Sequence, residues 1–267
     1  GIPLVLWPLG PPGGLSAEGW HVILIVLGAA LAWLLEPIPD FVIALLMAAA
    51  WGVSGLAPLP LVFAGFTSSS WVVALGALGL AAAMARSGLL FRIALFLLKT
   101  FPATHAGQVL ALLTGGFLIT PLVPLATARV SAIAPLAREL AQAMGYPPRS
   151  RGTAALSFAA LVGYGSFSSI FLTGLAMNFF VIELLPLADR ARFDWLTWFV
   201  SAGAAAVVMI AGMAVVLLGV FRAETASKAT PEVLRRQERV LGPLSPGEWV
   251  TIAAVAVLLG GLLLQPV

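Results

Sequence analysis

Residues 41–85, 106–128, 152–182, 195–221 and 249–267 contain no Asp, Glu, Lys or Arg, and each stretch is dominated by apolar side chains. About 18–20 apolar residues wound as a helix cross the hydrocarbon core of a bilayer, so these runs predict membrane spans. Residues 41–85 are too long for one crossing, and Gly52-Val53-Ser54-Gly55 and Pro58-Leu59-Pro60 supply the break. Of the 267 residues 61% are hydrophobic and 9% charged, against about 25% charged in a soluble domain. The chain is therefore expected to be all-α and polytopic, with the lipid bilayer as its principal partner. The net charge of +3 gives no nucleic-acid signal, because the basic residues lie between the apolar runs. The sequence has no cysteine, which excludes disulfides and thiolate-held metals. No HExxH, GxSxG, phosphate loop or carboxylate pair points to an enzyme, and no cofactor is expected.

Basic residues before and after one segment set its topology. Arg86, Arg92 and Lys99 alternate with Leu89, Leu90, Phe91, Ile93, Leu95 and Phe96, which predicts an interfacial amphipathic helix over 86–101. Arg138, Arg149 and Arg151 follow. If basic loops stay cytoplasmic, both ends of the intervening segment lie on one side, and it must enter and return as a re-entrant helical hairpin. Its tip falls at residues 120–127, where Thr120-Pro121-Leu122-Val123-Pro124 interrupts the helix. Residues 152–182 then cross outward, broken near Gly163-Tyr164-Gly165-Ser166-Phe167-Ser168-Ser169, and 195–221 return. The domain organisation read this way is 1–103 as scaffold helices with the interfacial helix, and 104–194 as hairpin plus broken helix forming a transport domain. There follow 195–221 as a transmembrane helix, 222–247 as a cytoplasmic loop and 248–267 as the start of a second repeat.

That repeat is visible in register. Leu15-Ser16-Ala17-Glu18-Gly19-Trp20 is echoed by Leu244-Ser245-Pro246-Gly247-Glu248-Trp249, and Glu36-Pro37 by Gln265-Pro266. The charge pattern sends the two copies across the membrane in opposite directions, as an inverted-topology repeat requires. The alternative is that two Trp-headed helices merely look alike. On the repeat reading the chain begins within a span at Gly1, holds a first half and stops as its second half begins.

Two segments could carry chemistry. At the tip, Pro124-Leu125-Ala126-Thr127-Ala128-Arg129 opens a helix inside an apolar stretch. A helix N-terminus exposes unpaired N–H groups and a partial positive charge, which suits an anion. Thr127 adds a hydroxyl, and Arg129 is a full charge at membrane depth; the alternative is a kinked helix with Arg129 paired to a neighbour. In the broken helix, Gly163, Gly165, Ser166, Ser168, Ser169, Thr173, Gly174 and Asn178 crowd small and hydroxyl residues together. Unwound carbonyls there could hold Na⁺, or the small residues could serve close packing. Thr67-Ser68-Ser69-Ser70 reads as a helix cap, His21 and His105 as interfacial, and Trp195 and Trp198 as belt residues.

Four motifs together resemble the divalent anion–sodium symporters of the ion-transporter superfamily: Phe66-Thr67-Ser68-Ser69-Ser70-Trp71, Ser87-Gly88-Leu89-Leu90-Phe91-Arg92-Ile93-Ala94, Pro124-Leu125-Ala126-Thr127-Ala128-Arg129 and Phe171-Leu172-Thr173-Gly174-Leu175-Ala176-Met177-Asn178. The resemblance covers the first half of such a protein, and its wording is nearest the 2-oxoglutarate/malate branch. It implies a multi-pass bacterial inner-membrane carrier of small anions, most simply di- or tricarboxylates, working as a homodimer by Na⁺ symport or by exchange. It implies substrate contacts at Thr127, Ala126, Ser169, Thr173 and Asn178, and ion contacts at Leu125, Ala126, Thr127 and Gly165. The family's tip usually reads Ser-Asn-Thr; here those positions are Leu125, Ala126 and Thr127, so only the threonine is kept. Phe179 stands where a proline is common. The same fold carrying sulfate, arsenite or another inorganic anion, or a non-transporting half-length membrane protein, are the other readings.

Overall fold

Hydroxyl and carboxylate side chains cap the starts of several helices in this chain. A computed structural model describes residues 7–190, 192–223 and 231–263, and among these every regular element is helical. The chain divides into two units, residues 1–71 and 72–267. In the first, α1 (Ala17–Leu35) starts at Ser16, whose hydroxyl accepts the Gly19 N–H at 3.1 Å. Its end is set by Glu36 in the left-handed region (φ 46°), followed by Pro37. α2 (Asp40–Val53) packs on α1, and a short α3 (Leu59–Val62) and a 3₁₀ turn (Ala64–Thr67) follow. Ser68 Oγ then accepts the Trp71 N–H at 3.2 Å, so the expected cap falls on that serine.

The second unit takes up the rest of α4 (Ser69–Ser87). Gly88, at φ 82°, turns the chain through 66° into α5 (Leu89–Thr100). This is the expected amphipathic helix with tighter bounds; Arg86 belongs to the last turn of α4. Leu89, Leu90, Ala94, Leu95 and Leu98 are buried on its inner face. Next come α6 (His105–Ile119), a 3₁₀ turn (Thr120–Leu122) and α7 (Ala126–Ala143), then α8 (Arg151–Gly165), against which both α6 and α7 pack.

Whether α6 and α7 form a hairpin is decided at their outer ends. His105, the first residue of α6, has Nδ1 3.1 Å from the hydroxyl of Tyr146, three residues beyond the last of α7. The arms therefore leave and return at one end, the expected hairpin geometry. Gly152 rests against the Tyr146 ring, so α8 starts there as well and runs toward the tip. Thr104, Ser150 and Asp194 cap α6, α8 and α11 (Trp195–Gly219) in the same way. The Thr197 N–H bonded to Asp194 holds that carboxyl below its usual range.

Three helices, Ala17–Leu35, the α6 segment His105–Leu122 and α11, are long and apolar enough to cross a membrane among the described residues. The bent pairs built on α4–α5 and on α12 (Pro231–Leu241) with α13 (Pro246–Leu263) also qualify, the latter turning through 97°. The chain is an all-α, multi-pass membrane protein. α13 opens with the expected capping box: Ser245 Oγ accepts from Glu248 N at 3.2 Å, and Glu248 Oε2 from Ser245 N at 2.7 Å.

Candidate functional site

Close backbone packing brings the hairpin against the broken helix. α6 and α8 cross at glycines: a Cβ on Gly116 would lie 2.0 Å from the Gly163 carbonyl oxygen, and one on Gly163 would lie 2.8 Å from that of Leu112. Only hydrogen side chains permit this approach. α8 runs to Gly165, so the break expected at 163–169 begins at Ser166. The irregular backbone is 166–175, containing 3₁₀ turns at Ser166–Ser169 and Leu172–Gly174, before α9 (Ala176–Glu183) and a short α10 (Leu187–Arg190). Gly174 sits where a Cβ would meet Ser168 O at 2.5 Å and the Thr120 methyl at 2.9 Å, which seats this loop on the hairpin tip.

Arg129 joins the two. It is fully buried, one turn into α7. Its Nε donates to Tyr164 O at 2.8 Å, Nη1 to Val123 O and to Gly174 O (3.2 Å), and Nη2 to Ser168 Oγ at 2.7 Å. The acceptors come from the tip, the end of α8 and the unwound loop, and none is a carboxylate. Arg129 is thus paired, as one of the two readings of the sequence had it, but with neutral oxygens, so its positive charge remains uncompensated. Hydrogen bonds of this charge-assisted kind are the strong ones.

The expected contact residues are distributed unevenly. Leu125 is the N-cap residue of α7 and is exposed; Ala126 begins the helix and is half-buried; Thr127 is exposed. Ser169 is exposed at the end of its 3₁₀ turn. Neither the Thr127 nor the Ser169 hydroxyl bonds to another described residue. Gly165 accepts the Ser168 hydroxyl at 3.1 Å through its carbonyl and packs on Val130. Thr173 is buried, and its hydroxyl accepts the Trp195 Nε1–H at 3.1 Å. Asn178 is buried too, its Nδ2 donating to Ser168 O at 3.0 Å and Phe171 O at 2.9 Å. Thr173 and Asn178 thus spend these groups holding the loop in shape, whereas residues 125–127 and Ser169 lie open at its surface.

Trp195 and Trp198, expected in the interfacial belt, also hold the loop: Trp198 Nε1 donates to Ser169 O at 3.0 Å. Phe171 stacks on Phe199 with ring centroids 5.1 Å apart, and Phe117 meets Phe167 edge-on at 5.6 Å. Sequence offered only the spacing of these aromatics, which fits a membrane belt equally well. The N-termini of α7 and α9 open beside this junction, adding N–H groups and dipole charge to that of Arg129. The combination suits an anion.

Comparison with known proteins agrees with that chemistry. The family model of the sodium:sulfate symporter transmembrane region matches residues 1–264. A Bacillus subtilis protein whose name assigns it provisionally to malate transport is 24% identical over 97% of this chain and 55% of its own length. Dicarboxylate transporter 2 of spinach chloroplasts is 25% identical over 94% of this chain and 46% of its own. The citrate/succinate antiporter of Escherichia coli K12 is 24% identical over 96% and 58%. The chain spans about half the length of the curated relatives it matches.

Proposed function

We propose that this chain, which belongs to the sodium:sulfate symporter family, contributes one anion-binding hairpin to a carrier of small dicarboxylates that works by exchange and needs no sodium. The observation that carries the reading is Arg129. Its guanidinium occupies oxygens of the tip, of α8 and of the unwound loop that would otherwise be free to ligate Na⁺. A fixed positive charge already stands at this junction, so a dianion can be received without a co-bound cation there. The missing hydroxyl and amide at Leu125 and Ala126 point the same way, because side chains that would help hold an ion are absent while the backbone N–H groups of the helix start remain. The carboxylate cargo named for the relatives supports the substrate class. The family's homodimeric assembly is part of the same proposal.

The full-length protein reconstituted in proteoliposomes tests it. Labelled malate or succinate is expected to enter only against an internal dicarboxylate, at a rate unchanged within about twofold when Na⁺ is replaced by choline. Uptake that collapses without Na⁺ would overturn the exchange mechanism, and no carboxylate uptake in either medium would overturn the carrier. Sulfate, arsenite and citrate belong in the competition series; preferential displacement by sulfate would move the cargo to the inorganic divalent anions in the family's description.

A further inference from the structure

Exposed side chains on the apolar helices of this protein are mostly large and apolar; on α11 they include Val200, Val207, Val208 and Val215. The outer face of α7 is different. Thr127, Ser131, Pro135, Arg138 and Gln142 are exposed at spacings of three and four, so they share one face from the tip to the hairpin base. Ser131, Ala134, Pro135, Arg138, Glu139 and Gln142 line an open groove of about 610 Å³ there. Pro135 has no N–H to give the Ser131 carbonyl, so that oxygen is left for water. Such a face is poorly suited to lipid and well suited to water.

The groove carries one charge of each sign, Arg138 and Glu139, held in different ways. Arg138 makes no ion pair with a described residue. The neighbouring carboxylate, Glu139, is half-buried and accepts a hydrogen bond from Gln237 Nε2 of α12, whereas Arg138 is exposed. From Thr127 to Arg138 is roughly 16 Å along the helix at 1.5 Å per residue.

We propose that this face of α7 is a water-filled approach for the dicarboxylate, with Arg138 as an outer capture site that holds the anion before it reaches the tip. The cargo rests on the carrier reading above; the approach itself rests on the polarity of the face. Arg138 acts through electrostatic attraction, which raises the local concentration and arrival rate of a dianion and weakens with salt.

The 267 residues contain no cysteine, so single thiols are placed here in a cysteine-free background of the full-length protein and read in inverted membrane vesicles. A membrane-impermeant thiosulfonate is expected to label Ser131→Cys and Gln142→Cys but not Val208→Cys. Malate should slow labelling of Ser131→Cys, and added Arg138→Gln should raise the protecting malate concentration roughly tenfold while Arg138→Lys preserves it. Protection in the native-arginine background should weaken as KCl is added. Ser131→Cys as inert as Val208→Cys would overturn the aqueous approach. Labelling with malate protection unaltered by Arg138→Gln would overturn the capture site. Loss of either with malate exchange intact in the parent protein condemns this inference alone, whereas a parent that exchanges no carboxylate condemns the carrier reading.

Discussion

A buried guanidinium surrounded by neutral oxygens is stable only while its donors are occupied, because an uncompensated charge in an apolar interior costs several kcal/mol. Arg129 meets that condition through backbone carbonyls on three separate segments and one serine hydroxyl. Arg129→Gln should therefore destabilise the protein by about 3–5 kcal/mol, because it leaves buried carbonyls unpaired as well as removing the charge. Arg129→Lys keeps the charge but cannot span the same acceptors, so its Tm in detergent should lie between the two. Equal Tm values for wild type and Arg129→Gln would show that the guanidinium does not bind tip to loop. That Arg129 matters is legible in sequence, as a charge at membrane depth. Its partners are not, since they lie as far as 45 residues away.

At the level of the element, the hairpin's position depends on how closely α6 can approach α8. Gly116 and Gly163 are the contact, and a methyl group on Gly116 would fall inside the opposing backbone. Backbone cannot swing aside as a side chain can. Gly116→Ala is expected to cost about 1–3 kcal/mol and to impair transport by lifting the tip from the loop, whereas Gly212→Ala on α11, where a Cβ meets nothing within 4 Å, should be neutral. The check is a thermal melt of both variants alongside the proposed dicarboxylate exchange of the full-length protein; a neutral Gly116→Ala would mean the crossing is looser than described. The hairpin arms, the amphipathic α5 and the Ser245 capping box follow from local pattern and charge. The extent of the unwound loop does not, because α8 continues past Gly163 and the chain unwinds only where Arg129, Asn178 and two tryptophans take up its carbonyls and hydroxyls.

Across the second unit, one ion pair gathers distant parts of the chain. Arg92 on α5 bonds Glu248 at 2.7 Å and also Gly242 O at 2.8 Å, so it seats the end of α12 and the start of α13 together on the amphipathic helix. Glu248 is 3% exposed and the Arg92 side chain 23%, so removing either partner strands a largely desolvated charge, which costs more than breaking a surface pair. Arg92→Gln and Glu248→Gln should each destabilise, and a double-mutant cycle should return a coupling of about 1–3 kcal/mol. Additive effects would mean the pair does not act as a unit. The 97° turn between Leu234–Leu241 and Pro246–Gly261 is the feature most exposed to its loss.

By itself the sequence determined that this chain is a set of membrane helices and that one segment, broken by two prolines, doubles back as a hairpin. Those properties are local: charge-free length, proline spacing and the sign of flanking residues act within a few turns. The tertiary structure alone decided what Arg129 holds, that Thr173 and Asn178 shape the loop while Thr127 and Ser169 stay open, and that one face of α7 is polar from tip to base. Each of these depends on which carbonyl or ring another segment presents across a gap of a few ångströms, and helical periodicity carries no information about that.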